Sequence, residues 1–229
     1  MNFTGFQDTL VADWAATDSI PMGADGVVTY SIDSSLREYA GFIQDTFSQL
    51  DAILEVDFRE VAPDQVVGKG KRAQVVESEA ELEFNSARRI RNNPDIAGVA
   101  DYQGGGEWDL INKDDRKYTD AFNKYIILHE LGHGLGLEHP FSFTDGDGRE
   151  DLTGADTVME YAWTPAEFFR DADVATLEGM WDGGFFSEEE VASAPSDEGF
   201  LEGEFTLTRR ERRQMRRQMR KERRLAHVC

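Results

Sequence analysis

The feature that most constrains this chain is the stretch HELGHGLGLEHP at residues 129–140, which holds three of the four histidines in the sequence. His129 and His133 are four residues apart, so on a helix they lie one turn apart on the same face. Gly136 can adopt the left-handed backbone conformation that ends a helix, and His139 follows three residues later. Three protein ligands leave the fourth position of a tetrahedral zinc ion open, as catalytic zinc sites do. The spacing therefore predicts a Zn2+ site formed by His129, His133 and His139.

Glu130 gives the same stretch a candidate catalytic base. It directly follows the first predicted ligand, so we expect its carboxylate beside a zinc-activated water molecule, from which it would take a proton. The alternative is that the three histidines are ordinary core residues satisfied by hydrogen bonds. At average residue frequencies, the full pattern HExxHxxGxxH arises by chance in a chain of this length with odds on the order of one in 10⁵. Such low odds favour the metal site.

The segments around the motif predict an α+β fold. A helix over 36–54, capped by Ser34 or Ser35, carries apolar residues at intervals of three and four. A second helix is predicted from Thr119 or Asp120 to Gly136. A turn and a third helix follow within 164–181, with Asp171 or Asp173 as the cap. Short strands rich in β-branched and aromatic residues are predicted at 26–32, 55–61, 73–78, 81–86, 96–102 and 106–112.

The pattern HExxHxxGxxH at residues 129–139 resembles the signature of the metzincin zinc proteases. These enzymes also have a methionine turn beneath the metal, and DTVMEY (156–161) supplies Met159 at the corresponding place. Tyr161, two residues later, matches the Met-x-Tyr pattern of serralysin-like and astacin-like members. The resemblance covers roughly residues 20–182, and the order of elements is similar to that of the serralysin and matrixin branch.

The resemblance implies a fold and an activity. The fold is a metzincin-like zincin domain, with a twisted mixed β-sheet, two long helices, an active-site helix and a methionine turn. The activity is that of a zinc-dependent metalloendopeptidase, in which an extended polypeptide substrate pairs with the edge strand at 96–102. By the same resemblance, Tyr161 would reach the zinc or stabilise the oxyanion. Taken alone, Met159 is better explained as a core methionine, and only its position after a complete ligand set favours the methionine turn. Tyr161 is equally well explained by packing, and 96–102 by an ordinary strand inside the sheet.

Two features of other branches are missing from this sequence. The glycine- and aspartate-rich calcium repeats of serralysins do not occur, and neither does the cysteine with which matrixin propeptides block the zinc. TDGDGRED (144–151) has oxygen ligands at spacings that suggest Ca2+, but the glutamate expected at the twelfth position of an EF-hand loop is missing. We interpret it as a solvated acidic loop, with calcium binding as the alternative.

Charge divides the chain into an acidic body and a basic tail. The net charge is −21, yet residues 209–224 hold ten basic and two acidic residues, which leaves −29 for the rest. We predict an N-terminal extension (1–19), a catalytic domain (20–182), an acidic linker (183–208) and a basic tail (209–229). The acidic body repels nucleic acid and anionic membranes, so nucleic acid would have to bind the tail. An acidic protein surface is the alternative partner of the tail.

The hydropathy of the chain and its first ten residues give expectations about the cellular compartment of the protein. No apolar run approaches the roughly 20 residues that a membrane helix needs. MNFTGFQDTL lacks both a basic segment and an apolar block, so we expect no Sec signal peptide. The compartment stays open: the cytoplasm at synthesis, then the cell exterior or an assembled particle by a non-Sec route.

Three functions are compatible with these patterns. The first is a zinc metalloendopeptidase, the second a catalytically silent zinc-binding structural or assembly protein, and the third a nucleic-acid-associated protein that binds through its tail. A structural zinc site has no physical need for a carboxylate such as Glu130 beside an open coordination position. The complete motif therefore favours the endopeptidase.

Overall fold

A five-stranded mixed β-sheet forms the centre of the fold. The computed structural model describes residues 10, 26–54, 56–67, 74–76, 78–91, 93, 95–104, 106–115, 117–140, 153 and 155–181. The strands of the main sheet are β1 (Val27–Ile32), β2 (Asp57–Glu60), β5 (Leu82–Ala87), β6 (Gly98–Gly104) and β7 (Glu107–Lys113), and a separate antiparallel pair is formed by β3 (Gln65–Val67) and β4 (Gln74–Val76). Three α-helices lie wholly within the described residues: α1 (Ala40–Leu54), α2 (Asp120–Gly134) and α3 (Asp171–Trp181). The predicted α+β class is confirmed.

The order of the main sheet, β2-β1-β5-β7-β6, places β6 at an edge within the described residues. The first four strands are parallel, and β6 runs antiparallel to β7. Strand β7 alternates strictly between buried and half-buried residues, which is the pattern of a strand with one face in the core. The predicted strands are confirmed with ends that shift by at most two residues. Strand β3 was not predicted, because three residues are too few to show a period.

Helix α1 follows a short 3-10 turn over Ser34–Tyr39. The cap predicted at Ser34 or Ser35 is wrong: Asp33 caps the turn, because its Oδ1 accepts a hydrogen bond from the backbone N–H of Ser35 at 2.8 Å. The Ser35 hydroxyl instead accepts from the backbone N–H of Ser86. The predicted apolar stripe is buried except at Phe42, which is half-buried, and the ring of Phe47 stacks on that of Tyr30 in β1 at 4.0 Å between centroids.

Helix α2 carries the motif, and its ends are set by local chemistry. Thr119 is the N-cap, since its side chain accepts a hydrogen bond from the backbone N–H of Phe122. The helix ends at Gly134, two residues before the predicted stop. Gly136 has a φ of +105°, in the left-handed region, so the predicted reversal after the helix occurs at that residue.

Helix α3 begins at Asp171, so the prediction that Asp171 or Asp173 precedes it as the cap is wrong. Asp173 lies inside the first turn, where its Oδ2 accepts hydrogen bonds from the backbone N–H groups of Arg170 and Val158 at 2.9 Å each. It is fully buried. The residue therefore stabilises the start of α3 from within and connects the helix to the segment that contains Met159.

Several predictions fall on residues outside those that the structure describes. They concern residues 1–9 and 11–25, the acidic loop 144–151 with its calcium alternative, the linker and the basic tail. The domain boundaries stay predictions. Among the described residues, no helix is both long and apolar enough to cross a membrane.

Candidate zinc site and active site

The three histidines of the motif converge. His129 and His133 lie on α2, and His139 comes back to them after the turn at Gly136. Nε2 of His139 is 3.1 Å from Nε2 of His129 and 3.2 Å from Nε2 of His133. One nitrogen from each residue lies within 4.8 Å of the other two. The helical spacing and the glycine turn therefore produce the cluster that the sequence predicts.

Each imidazole is oriented by a hydrogen bond at its other nitrogen. Nδ1 of His129 is 2.8 Å from the carbonyl oxygen of Val158, and Nδ1 of His133 is 2.9 Å from that of Leu137. A carbonyl oxygen can only accept, so in both histidines Nδ1 carries the proton and Nε2 offers a lone pair. Nδ1 of His139 faces Oε1 of Glu138 at 3.2 Å. All three side chains thus present Nε2 to a common point.

The electrostatics keep two of these imidazoles neutral. Burial, helped by the neighbouring histidines, lowers the pKa of His129 to about 3 and that of His133 to about 4. Burial of Glu138 opposes its ionisation, but the hydrogen bonds from His139 outweigh it and lower the pKa of Glu138 to about 2. Neutral imidazoles and an ionised carboxylate behind one of them are the protonation states that a metal site requires.

The site fits a zinc ion. Two nitrogens that are each 2.0–2.1 Å from a tetrahedral zinc ion are about 3.3 Å apart, close to the 3.1 and 3.2 Å between the Nε2 atoms. Neutral imidazole is also a ligand that Zn2+ prefers. The donors and the orienting hydrogen bonds therefore match a zinc site with three histidine ligands.

Glu130 follows the first histidine and is buried at the inner side of α2. Burial raises its pKa to about 8, although a hydrogen bond from the backbone N–H of Ala100 in β6 acts in the opposite direction. A carboxyl group with a pKa near neutrality can both accept and return a proton at physiological pH. The structure thus places a buried carboxyl group with a raised pKa directly after a candidate metal ligand.

Met159 is fully buried against α2. A Cβ atom on Gly132, the residue before His133, would be only 2.5 Å from Sδ of Met159, so this position of the helix has room for glycine alone. The hydroxyl of Thr157 accepts a hydrogen bond from the backbone N–H of Met159 at 2.9 Å. Tyr125 of α2 donates to the carbonyl oxygen of Glu160. With the hydrogen bond from His129 to the carbonyl oxygen of Val158, the segment predicted as a methionine turn is therefore bound to α2 on both sides of Met159.

Tyr161 lies next to the histidines but is mostly exposed. Its ring centroid is 4.5 Å from that of His139 and 6.2 Å from that of His129, and 62% of the residue is accessible to solvent. An exposed tyrosine beside the candidate ligands is not explained by the core. Its position is compatible with the predicted role at the oxyanion.

No protein-family model matches the chain. Among solved structures, it is similar to high choriolytic enzyme 1 (HCE-1), a hatching enzyme zinc-protease from the medaka fish Oryzias latipes. The identity is 13%, the TM-score is 0.36, and the match covers 76% of this chain and 98% of that one. At this identity and TM-score the similarity says nothing about activity, which has to be inferred from the residues of the site.

The chain resembles the metzincin zinc metalloproteases. The resemblance rests on the convergence of His129, His133 and His139, on the glycine turn between them and on the buried Met159. These features do not single out one metzincin branch, so the likeness to serralysins and matrixins stays a prediction.

Two residues that support the metzincin-like site were not predicted. Glu138 orients His139, and its place directly before a ligand was the only signal for it in the sequence. Asp173 holds the segment before Met159 by accepting from the Thr157 hydroxyl and the backbone N–H of Val158. It was assigned to a helix cap, and no local pattern relates it to a segment 15 residues earlier.

Proposed function

We propose that this protein is a zinc-dependent metalloendopeptidase. The observation that carries the proposal is a set of three histidine nitrogens, each oriented toward one point, with the buried carboxyl group of Glu130 directly after the first ligand. His129, His133 and His139 would hold the ion. When bound, Zn2+ supplies a Lewis acid that polarises a peptide carbonyl and lowers the pKa of water.

The other steps fall to residues of the chain. Glu130 accepts a proton from the attacking water molecule and then donates it to the leaving amine, two roles that one buried carboxyl group next to the ligands can take in turn. Tyr161 donates a hydrogen bond from its hydroxyl group to the developing oxyanion. Its exposure and its place beside His139 support this role, because such a group must be accessible to a bound substrate.

Strand β6 is the proposed binding site of the substrate. It is an edge of the main sheet within the described residues, and it packs against α2, the helix that carries Glu130. An extended polypeptide can pair with such an edge through backbone hydrogen bonds, so recognition would not depend on one particular side chain. The proposed substrate is therefore an unfolded or extended polypeptide segment.

The test is cleavage of an unfolded polypeptide by the full chain loaded with zinc, compared with Glu130→Gln at equal zinc content. Glutamine keeps the shape but cannot take the proton, so we expect the rate to fall about 10²- to 10⁴-fold. Equal cleavage by both proteins would contradict the proposal. Stoichiometric zinc without cleavage by either would favour the catalytically silent zinc protein.

A further inference from the structure

We infer that Gly98 and Ala100 of the edge strand are positioning residues for Glu130: Gly98 by leaving the space that the carboxyl group occupies, and Ala100 by donating its backbone N–H. The inference deepens the proposed function and rests on it for the role of Glu130. The contact between strand and carboxyl group does not depend on any reaction.

The first observation is the lack of room at Gly98. A Cβ atom built there would be 2.4 Å from Oε1 and 2.9 Å from Cδ of Glu130, and 2.6 Å from Cγ2 of Ile126. Cβ atoms essentially never approach another heavy atom closer than 3.0 Å. Both Glu130 and Ile126 are buried in α2, so neither side chain has open space into which it could move. Any residue other than glycine at position 98 must displace the carboxyl group.

The second observation concerns the direction of the backbone at Ala100. Lys113 of β7 donates its N–H to the carbonyl oxygen of Ala97, at the start of the antiparallel pairing with β6. In such a ladder the hydrogen bonds to the partner alternate along the strand, so residues 98 and 100 direct their backbone groups to the outer edge. The N–H of Ala100 is used there by the carboxyl group of Glu130.

The two contacts fix the carboxyl group in complementary ways. The space at Gly98 sets how closely the strand approaches the carboxyl group, and the backbone N–H of Ala100 donates a hydrogen bond to it. The base is therefore held by the same strand that we propose binds the substrate. If one strand holds both the substrate and the carboxyl group of Glu130, the distance from the base to the scissile bond is fixed. A displacement of either group by about 1 Å can lower the rate roughly 10²-fold.

The decisive variant is Gly98→Ala in the full chain, with Gly41→Ala as the matched control. A Cβ atom at Gly41 of α1 meets nothing within 4 Å, so the control introduces the same methyl group without a contact. We expect Gly98→Ala to lower kcat about 10²-fold with little change in KM or in bound zinc, and Gly41→Ala to keep the wild-type kcat. A wild-type kcat in Gly98→Ala would overturn the inference.

A double-mutant cycle tests the contact without any catalytic readout. Gly98→Ala overpacks a buried site, so we expect its thermal midpoint to fall by roughly 3–10 °C. In a Glu130→Ala background the carboxyl group is gone and Ile126 can relax into its place. In that background, Gly98→Ala should lower the thermal midpoint by less than half of the shift that it causes when Glu130 is present. Equal shifts in the two backgrounds would contradict the contact.

Ala100→Pro provides a second variant in case Gly98→Ala does not fold. Proline removes an N–H that points to the outer edge, and edge strands tolerate it there. We expect kcat to fall roughly 10- to 100-fold, the effect of one hydrogen bond to a charged group, with zinc content unchanged. An unchanged kcat would remove Ala100 from the inference. If the wild-type chain does not cleave, the proposed function fails, while the thermal cycle still decides the contact.

Discussion

Nδ1 of His129 donates to the carbonyl oxygen of Val158, 2.8 Å away, and so the orientation of a candidate zinc ligand depends on a segment 29 residues later in the chain. The backbone N–H of the same Val158 donates to Asp173 at 2.9 Å. A chain of hydrogen bonds thus runs from the start of α3, through the segment that contains Met159, to the ligand on α2. Groups behind a ligand set its tautomer and direction.

The first prediction concerns Asp173→Ala. The substitution leaves buried donors at Val158, Arg170 and Thr157 without their acceptor, so we expect the free energy of unfolding to fall by about 2–4 kcal/mol. It also removes the acceptor that holds the Val158 N–H, and with it the fixed position of the Val158 carbonyl oxygen that orients His129, so zinc affinity should fall about 10- to 100-fold. Denaturant unfolding and zinc titration measure the two effects.

Asp171→Ala is the control for this variant. Asp171 lies in the same first turn of α3 but is exposed, so we expect a change below about 1 kcal/mol from its interaction with the helix dipole. Comparable losses in both variants would show that Asp173 acts only as a first-turn carboxylate.

The second prediction is that Asp173 makes the free energy of unfolding depend on pH. Burial, which outweighs the hydrogen bonds and the charge of Arg170, raises its pKa from 3.8 to about 6. Between these values the unfolded chain has lost the proton and the folded chain keeps it. The contribution to stability is therefore fully present below the unfolded pKa and is lost as pH rises through the folded pKa.

Comparison with Asp173→Asn isolates this effect from the other titrating groups. The free energy of unfolding of the wild type minus that of the variant should fall by about 2 kcal/mol between pH 4 and pH 6, and by about 3 kcal/mol between pH 3 and pH 7. Denaturant unfolding at several pH values across that range gives the difference. A difference that stays constant, or rises with pH, would show that the hydrogen bonds outweigh burial.

The sequence predicted those parts of the site that depend on local geometry. The spacing of His129 and His133 follows from the helical period, and Gly136 could be identified because only glycine readily takes the backbone conformation found there. Met159 was identified by resemblance, since an isolated methionine has no pattern of its own. The fold class followed from the alternation of strands and helices.

The parts that could not be predicted depend on contacts between distant segments. Asp173 contacts Val158 only after α3 packs beside that segment, and its place in the first turn of a helix indicated a cap. Gly98 looked like an ordinary glycine of a strand, because nothing in the sequence places it against Glu130, 32 residues later. Side-chain contacts of this kind depend on the packing of α2 against β6.

The third prediction concerns Glu138→Gln. The carboxylate of Glu138 faces Nδ1 of His139 at 3.2 Å and accepts from its backbone N–H at 3.0 Å. Glutamine keeps the size but loses the charge that makes the imidazole a stronger donor to a metal, so zinc affinity should fall about 10-fold or more. Competition with a chelator measures it, and Glu178→Gln, an exposed residue of α3, should not change it. Equal affinity of Glu138→Gln and wild type would mean that His139 needs no carboxylate behind it.

The last prediction separates the two explanations of Tyr161. If its hydroxyl group stabilises the oxyanion, Tyr161→Phe should lower kcat about 10²-fold and leave KM nearly unchanged, because the hydrogen bond forms only as charge develops on the oxygen. The residue is 62% exposed, so the loss of the hydroxyl should change the free energy of unfolding by less than about 0.5 kcal/mol. Steady-state kinetics and denaturant unfolding of the same preparation measure both quantities. A variant with the wild-type kcat but a lower stability would identify Tyr161 as a packing residue, and Glu130 would then act without a tyrosine partner.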